Sequence, residues 1–159
     1  MQITSRLTFA APAGQVAAML VNPEFAQYVG EETHADNVTT SVLAAGLTSV
    51  LTMRTPQVAR RVLGAQMTVT QTVTWDDPRD TDPVTGRMTL TVLGVPAQCD
   101  GPLSLASTPT GSTLSYDADF VVKIPLVGRK IEEMAAKHIT SIMSACESVG
   151  NAWLASHPA

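Results

Sequence analysis

The sequence predicts an α+β fold: a seven-stranded antiparallel sheet wrapped around a long C-terminal helix, with two short helices after the first strand. Three observations carry this expectation. The opening residues alternate polar and apolar side chains, as a half-buried strand does. Six further stretches rich in threonine and valine follow, separated mostly by short turns. From Arg129 to Trp153 the period then changes to that of one long amphipathic helix.

In the first strand Ile3, Leu7 and Phe9 share a face with Ser5, while Gln2, Thr4, Arg6 and Thr8 take the other. Pro12 suits the first turn of a helix over Ala13 to Val21, where Val16, Met19 and Leu20 share a side. Asn22 is a good N-cap for a second helix over Glu24 to Val29, with Pro23 at its first position and Gly30 able to end it. The later strands are expected at His34 to Leu43, Leu47 to Arg54, Met67 to Trp75, Arg87 to Leu93, Ala97 to Ser107 and Thr113 to Lys123. The third of these is the clearest: Met67, Val69, Gln71, Val73 and Trp75 oppose a ladder of Thr68, Thr70, Thr72 and Thr74. In the last, Leu114, Tyr116, Ala118, Phe120 and Val122 oppose Ser115, Asp117 and Asp119. The longer Thr55 to Gln66 connection, with Pro56 and Gly64, has room for a turn of helix or a bulge at the rim. Pro125 bars the strand from continuing, and Gly128 permits the close turn into the final helix. On that helix Ile131, Ala135, His138, Ile142, Val149 and Trp153 fall on one arc, with Glu133, Lys137, Ser144, Glu147 and Asn151 opposite.

A chain of 159 residues fits a single domain over residues 1–159, able to bury roughly two-thirds of its unfolded surface without a staple or a metal. Charged residues are only 15% and the formal net charge is -4, which argues against nucleic-acid binding, since that rests on clustered cations displacing counterions. No stretch approaches the ~20 apolar residues of an integral membrane span. The start lacks the basic-then-apolar form of a secretory signal, so a cytoplasmic location is expected, with Cys99 and Cys146 as free thiols. The Asn37-Val38-Thr39 triplet has the form of a glycosylation sequon, but such triplets are common by chance.

The element order, together with Val122-Lys123-Ile124-Pro125-Leu126-Val127-Gly128-Arg129-Lys130-Ile131-Glu132 leading into the long helix, resembles the START-like, helix-grip (SRPBCC) superfamily. That superfamily includes the birch-pollen allergen, lipid-transfer and aromatase/cyclase domains, and the junction looks like that of an uncharacterised bacterial family within it. The resemblance spans nearly the whole chain. It implies an apolar cavity between sheet and helix, of the kind that takes lipids, sterols, polyketides or plant-hormone-like molecules. The chain is shorter than lipid-transfer members, which argues against a two-chain phospholipid pocket.

The expected ligand wall comprises Met67, Val69 and Trp75 on one strand, Tyr116 and Phe120 on another, and Met134, His138 and Ile142 on the helix. His138 stands in the middle of an apolar arc, where it either orients a bound oxygen function or pairs with a strand residue such as Tyr116 or Gln71. Methionines adapt to irregular ligands, yet ordinary packing accounts for any one of them. Trp75 and Tyr116 combine broad apolar surfaces with polar tips, as ligand walls and cores both do. Asp117 and Asp119 fall on the solvent face, away from any site needing a raised carboxyl pKa. The acidic tip from Asp76 to Asp82 lacks calcium-loop spacing, and His34, His138 and His157 lack zinc spacing, so neither metal nor cofactor is expected. Arg54, Arg60 and Arg61 form a compact basic group.

No nucleophile-and-base arrangement is legible, and no residue is assigned a catalytic role. The reading is non-catalytic binding or carriage of a small hydrophobic ligand, with the oligomeric state left open. One alternative is a polyketide aromatase/cyclase-type enzyme using His138 and Tyr116. A second is an accessory protein-interaction domain whose cavity is filled.

Overall fold

The computed structural model describes residues 1–77 and 80–158, with the backbone alone at Val58 and His138. The chain runs β1 (Gln2–Phe9), α1 (Ala13–Leu20), α2 (Pro23–Glu32), β2 (Asn37–Leu43), β3 (Gly46–Arg54), a 3₁₀ turn (Gln57–Ala59), α3 (Arg60–Leu63), β4 (Gln66–Trp75), β5 (Val84–Val92), β6 (Val95–Thr108), β7 (Gly111–Val122) and α4 (Gly128–Ser156). The seven strands form one sheet in the order β1-β7-β6-β5-β4-β3-β2, every neighbouring pair antiparallel. This is the expected α+β architecture, with the long helix last and two short helices after the first strand.

Three boundaries moved for local reasons. Asn22 caps α2 as expected, its Oδ1 accepting from the Glu24 amide at 2.9 Å, but the helix continues through Gly30 to Glu32. Gly30 serves close packing instead, because a Cβ there would collide with the Val38 side chain of β2. His34 takes the left-handed position that turns the chain, at φ 58°, and the Ala35 amide donates to the Gly30 carbonyl at 2.8 Å. That turn delays β2 until Asn37. On the other side of the sheet, β5 begins at Val84, three residues earlier than the alternation implied, because Val84 and Gly86 still pair with Leu105 and Leu103.

Pairing register carries one set of side chains to the concave face. Leu47, Ser49, Leu51 and Met53 of β3 sit opposite Val73, Gln71, Val69 and Met67 of β4, and Met88, Leu90 and Val92 continue the rows on β5. The threonines lie on the convex face, where Thr48 and Thr72 hydroxyls meet at 3.1 Å. Gly101 lets β6 bend against β7, since a Cβ there would strike the Asp117 carbonyl.

The core is concentrated at one end. Phe9, Trp75, Val84, Leu105, Leu114 and Tyr116 are buried there beneath Val16, Ala17 and Met19 of α1. Trp153, near the end of α4, packs edge-on against Phe25 at 5.5 Å and lies as close to Tyr28, both from α2. The end of α4 is also stitched to β1, an edge strand whose outer amides lack a ladder partner. Thr8 and Ala10 amides donate to Glu147 Oε2 at 2.8 Å and Asn151 Oδ1 at 2.9 Å, and Asn151 Nδ2 donates to the Thr8 carbonyl at 3.0 Å. Glu147 and Asn151 are therefore not merely the solvent side of the helix.

Candidate functional site

Away from the solid end, the concave face is only half covered. α4 packs along β1 and β7, whereas α2 packs along β2 and β3. Between these two margins Met67, Val69, Gln71, Leu90 and Val92 are half-buried, as are Leu51 and Met53 next to them. Apolar side chains that face inward yet stay partly accessible are not close-packed, which leaves this stretch open to a ligand. Next to it Cys99, across from Leu90, and Phe120, paired with Cys99 across β6 and β7, are buried.

The polar content of this face is small. Gln71 lies at its centre between Ser49 and Leu90. Among the described residues its amide has no hydrogen-bond partner. The amide is only half-buried, so water can meet it, and a ligand oxygen could take that water's place. The described strand residues of this face carry no charge, so a neutral ligand suits it better than an anion. Sequence reading had passed over Gln71 except as a histidine partner, although its place in an apolar row was a visible signal.

The expected wall residues divide into two groups. Met67 and Val69 line the half-covered region, with the buried Phe120 next to it, and Met134 is half-buried on α4. Trp75 and Tyr116 belong instead to the solid end. Trp75 is buried and its Nε1 donates to the Ala17 carbonyl at 3.0 Å. The Tyr116 hydroxyl donates to the Met88 carbonyl at 3.0 Å and lies 3.6 Å from Cys99 Sγ. Burial pushes the Tyr116 phenol well above its ordinary range and raises the Cys99 thiol as well. Ile142 is 49% exposed, because the packed stripe of α4 is rotated toward Ile139, Met143 and Cys146. His138 belongs to the middle of α4, and its side chain lies outside the described residues.

Two other features have structural partners. On the convex face a cleft of about 600 Å³ is lined by Arg87, Gln98, Asp100 and Lys123, among others. There Arg87 Nε donates to Asp100 Oδ1 at 2.9 Å, and that bond holds the carboxyl below the usual carboxylate range. At the acidic tip Asp76 accepts from Thr85 Oγ1 at 2.9 Å and Asp82 from the Ser107 amide at 3.0 Å. Among the described residues no cluster of three or more His, Cys, Asp or Glu could hold a metal ion. Nor is any helix of the described residues long and apolar enough to cross a membrane.

Solved structures share this architecture at low sequence identity. The chain resembles the ZhuI aromatase/cyclase from Streptomyces sp. R1128 at a TM-score of 0.67 and 16% identity, covering 99% of this chain and 96% of that one. It resembles Ara h 8.0201 at 0.63 and 13%, covering 94% and 97%. Norcoclaurine synthase from Thalictrum flavum, solved in complex with dopamine and hydroxybenzaldehyde, matches at 0.63 and 12%, covering 100% and 88%. At such identities the likeness establishes the fold, which is the helix-grip arrangement of the allergen-like proteins. No curated protein matches the chain. The family model described as protein of unknown function (DUF2505) matches residues 4–154, and the chain belongs to that family.

Proposed function

We propose that the protein binds and carries a small, neutral, hydrophobic molecule in the hollow between β3–β5 and the middle of α4, without turning it over. The observation that carries this reading is the half-covered apolar row of Met67, Val69, Leu51 and Leu90 around Gln71, whose amide has no hydrogen-bond partner among the described residues. Apolar burial would supply most of the affinity, about 25 cal/mol per Å² before ordering costs are subtracted. Gln71, with His138 from the helix, would orient one oxygen function. Met134 and Ile142 would complete the helix side, with Phe120 beneath. Trp75 and Tyr116 would support this wall from behind rather than meet the ligand.

The fold likeness to an aromatase/cyclase and to norcoclaurine synthase keeps enzymes among the relatives in shape. Proton transfer by Tyr116 is disfavoured here, because its hydroxyl is donated to a backbone carbonyl and its pKa is raised. Carriage needs only shape and one anchor.

A titration with the neutral probe Nile red tests the reading. The native protein is expected to enhance the dye's fluorescence saturably, and Val69→Trp, which fills the hollow, is expected to abolish that enhancement while the thermal midpoint is kept. Undiminished dye binding by Val69→Trp would refute the hollow as the site. Mass spectrometry of an extract from protein purified from its native host would then identify the natural occupant.

A further inference from the structure

The antiparallel register gathers three connections at one rim of the sheet. They are the crossover between β3 and β4, the Leu93-Gly94 turn between β5 and β6, and the link from β7 to α4. Backbone bonds tie them to neighbouring strands: the Leu93 amide donates to the Thr68 carbonyl at 2.9 Å, and the Lys123 amide to the Pro96 carbonyl at 2.8 Å. Each connection presents apolar side chains to solvent. Leu93 is 77% exposed, Val62 49%, Val127 42%, and Leu126 is fully exposed. Leu126 is moreover held at φ 70°, a left-handed conformation costly for a branched side chain. An apolar residue kept strained and out of the core calls for a partner.

Cations crowd the same rim. Of the ten lysines and arginines, Arg54, Arg60, Arg61, Lys123, Arg129 and Lys130 lie on or beside these connections, and all six are exposed. Several acids near them are engaged: Glu133 faces Arg129 at 3.9 Å, while Glu132 and Asp119 lie 3.4 and 3.7 Å from the N-terminal amine. Glu31, Glu32 and Asp36 stand at the β2 end of the same rim, where Asp36 accepts from Gln66 Nε2 at 3.0 Å, across from Arg54. The acidic tip with Asp76, Asp77, Asp80 and Asp82 extends from the opposite end, between β4 and β5. The three connections themselves, residues 55–65, 93–94 and 123–127, contain no acidic residue, so they form a cationic and apolar patch within a chain of net charge -4.

We propose that this rim docks on an anionic lipid bilayer, with Leu93, Leu126, Val62 and Val127 entering the headgroup boundary and the six cations meeting lipid phosphates. The apolar groups stand on separate loop tips with cations between them, rather than forming the continuous apolar core of a protein interface. Separate tips suit a fluid surface that moulds around each one. The docking surface is distinct from the interior hollow, and its test is independent of whether the hollow holds a ligand.

Cosedimentation of the full chain with vesicles is the experiment. Vesicles of phosphatidylcholine containing phosphatidylglycerol are expected to carry the protein down, and vesicles of phosphatidylcholine alone to leave it in solution. The combined Arg54→Gln and Arg61→Gln variant should bind about 25-fold more weakly, at about fivefold per cation lost. Leu93→Asp with Leu126→Asp should abolish sedimentation. Val42→Asp with Leu43→Asp, at the exposed turn on the opposite end, should leave it intact, and unchanged circular dichroism would show that the variants remain folded. The proposal is overturned by absence of partitioning, by equal partitioning onto both vesicle types, or by binding that survives the Leu93 and Leu126 changes.

Discussion

The Tyr116 hydroxyl shows how much one buried polar atom can determine. It is 1% exposed and donates to the Met88 carbonyl on β5, tying β7 to a strand two places away in the sheet. Tyr116→Phe leaves that carbonyl without its donor, at a cost of about 1–3 kcal/mol, so thermal or urea unfolding should show a loss in that range with the fold retained. An unchanged midpoint would mean that water replaces the phenol. The burial of Tyr116 and Trp75 was legible from their place in apolar rows. Their partners were not, because Met88 and Ala17 supply backbone carbonyls from remote parts of the chain, and a carbonyl leaves no mark in sequence. Gln71 is the opposite case: its row was legible, and that it has no hydrogen-bond partner among the described residues emerges only from the structure.

Among the elements, α4 is the one whose existence was plainest and whose rotation was least so. Its apolar period identified a long helix, yet it did not say which edge of a broad apolar stripe would face the sheet. The choice is made outside the helix, by the Thr8 amide of edge strand β1 and the Ala10 amide just beyond it, which have no ladder partner. Glu147 and Asn151 must reach those groups, which turns Ile139, Met143 and Cys146 inward and leaves Ile142 half out. Asn151→Ala removes the acceptor for Ala10 and the donor to Thr8 together. Their exposed setting limits the expected loss to about 1–2 kcal/mol, measurable as a lower urea midpoint, and Asn151→Asp should recover part of it by keeping the acceptor. The short α2 followed the same logic: its N-cap was written in Asn22-Pro23, while its end depended on how closely β2 approaches Gly30.

At the scale of the whole molecule, element order alone carried the architecture, because seven alternating segments and one terminal helix have few ways to bury their apolar faces together. The degree of filling was not legible. It depends on where helices rest across the sheet, and here α4 and α2 rest toward its two sides while α1 covers β5 at one end. A ligand bound to the folded state alone should therefore stabilise it by mass action, by about 2.7 kcal/mol at a hundredfold excess over Kd. Protein stripped of its occupant by denaturing extraction and refolding should melt lower than protein isolated loaded, and equal midpoints would count against an occupied interior.

The placement of the two supports has a mechanical result. With α4 fastened along β1 and β7, α2 along β2 and β3, and the two joined where Trp153 meets Phe25 and Tyr28, a small change in sheet twist can widen the span between them away from that joint while the ladder bonds between strands stay made. If the proposed hollow takes a ligand, such a frame would act as a leaf spring clamped at both ends, admitting guests of different girth by flexing rather than by unzipping any strand.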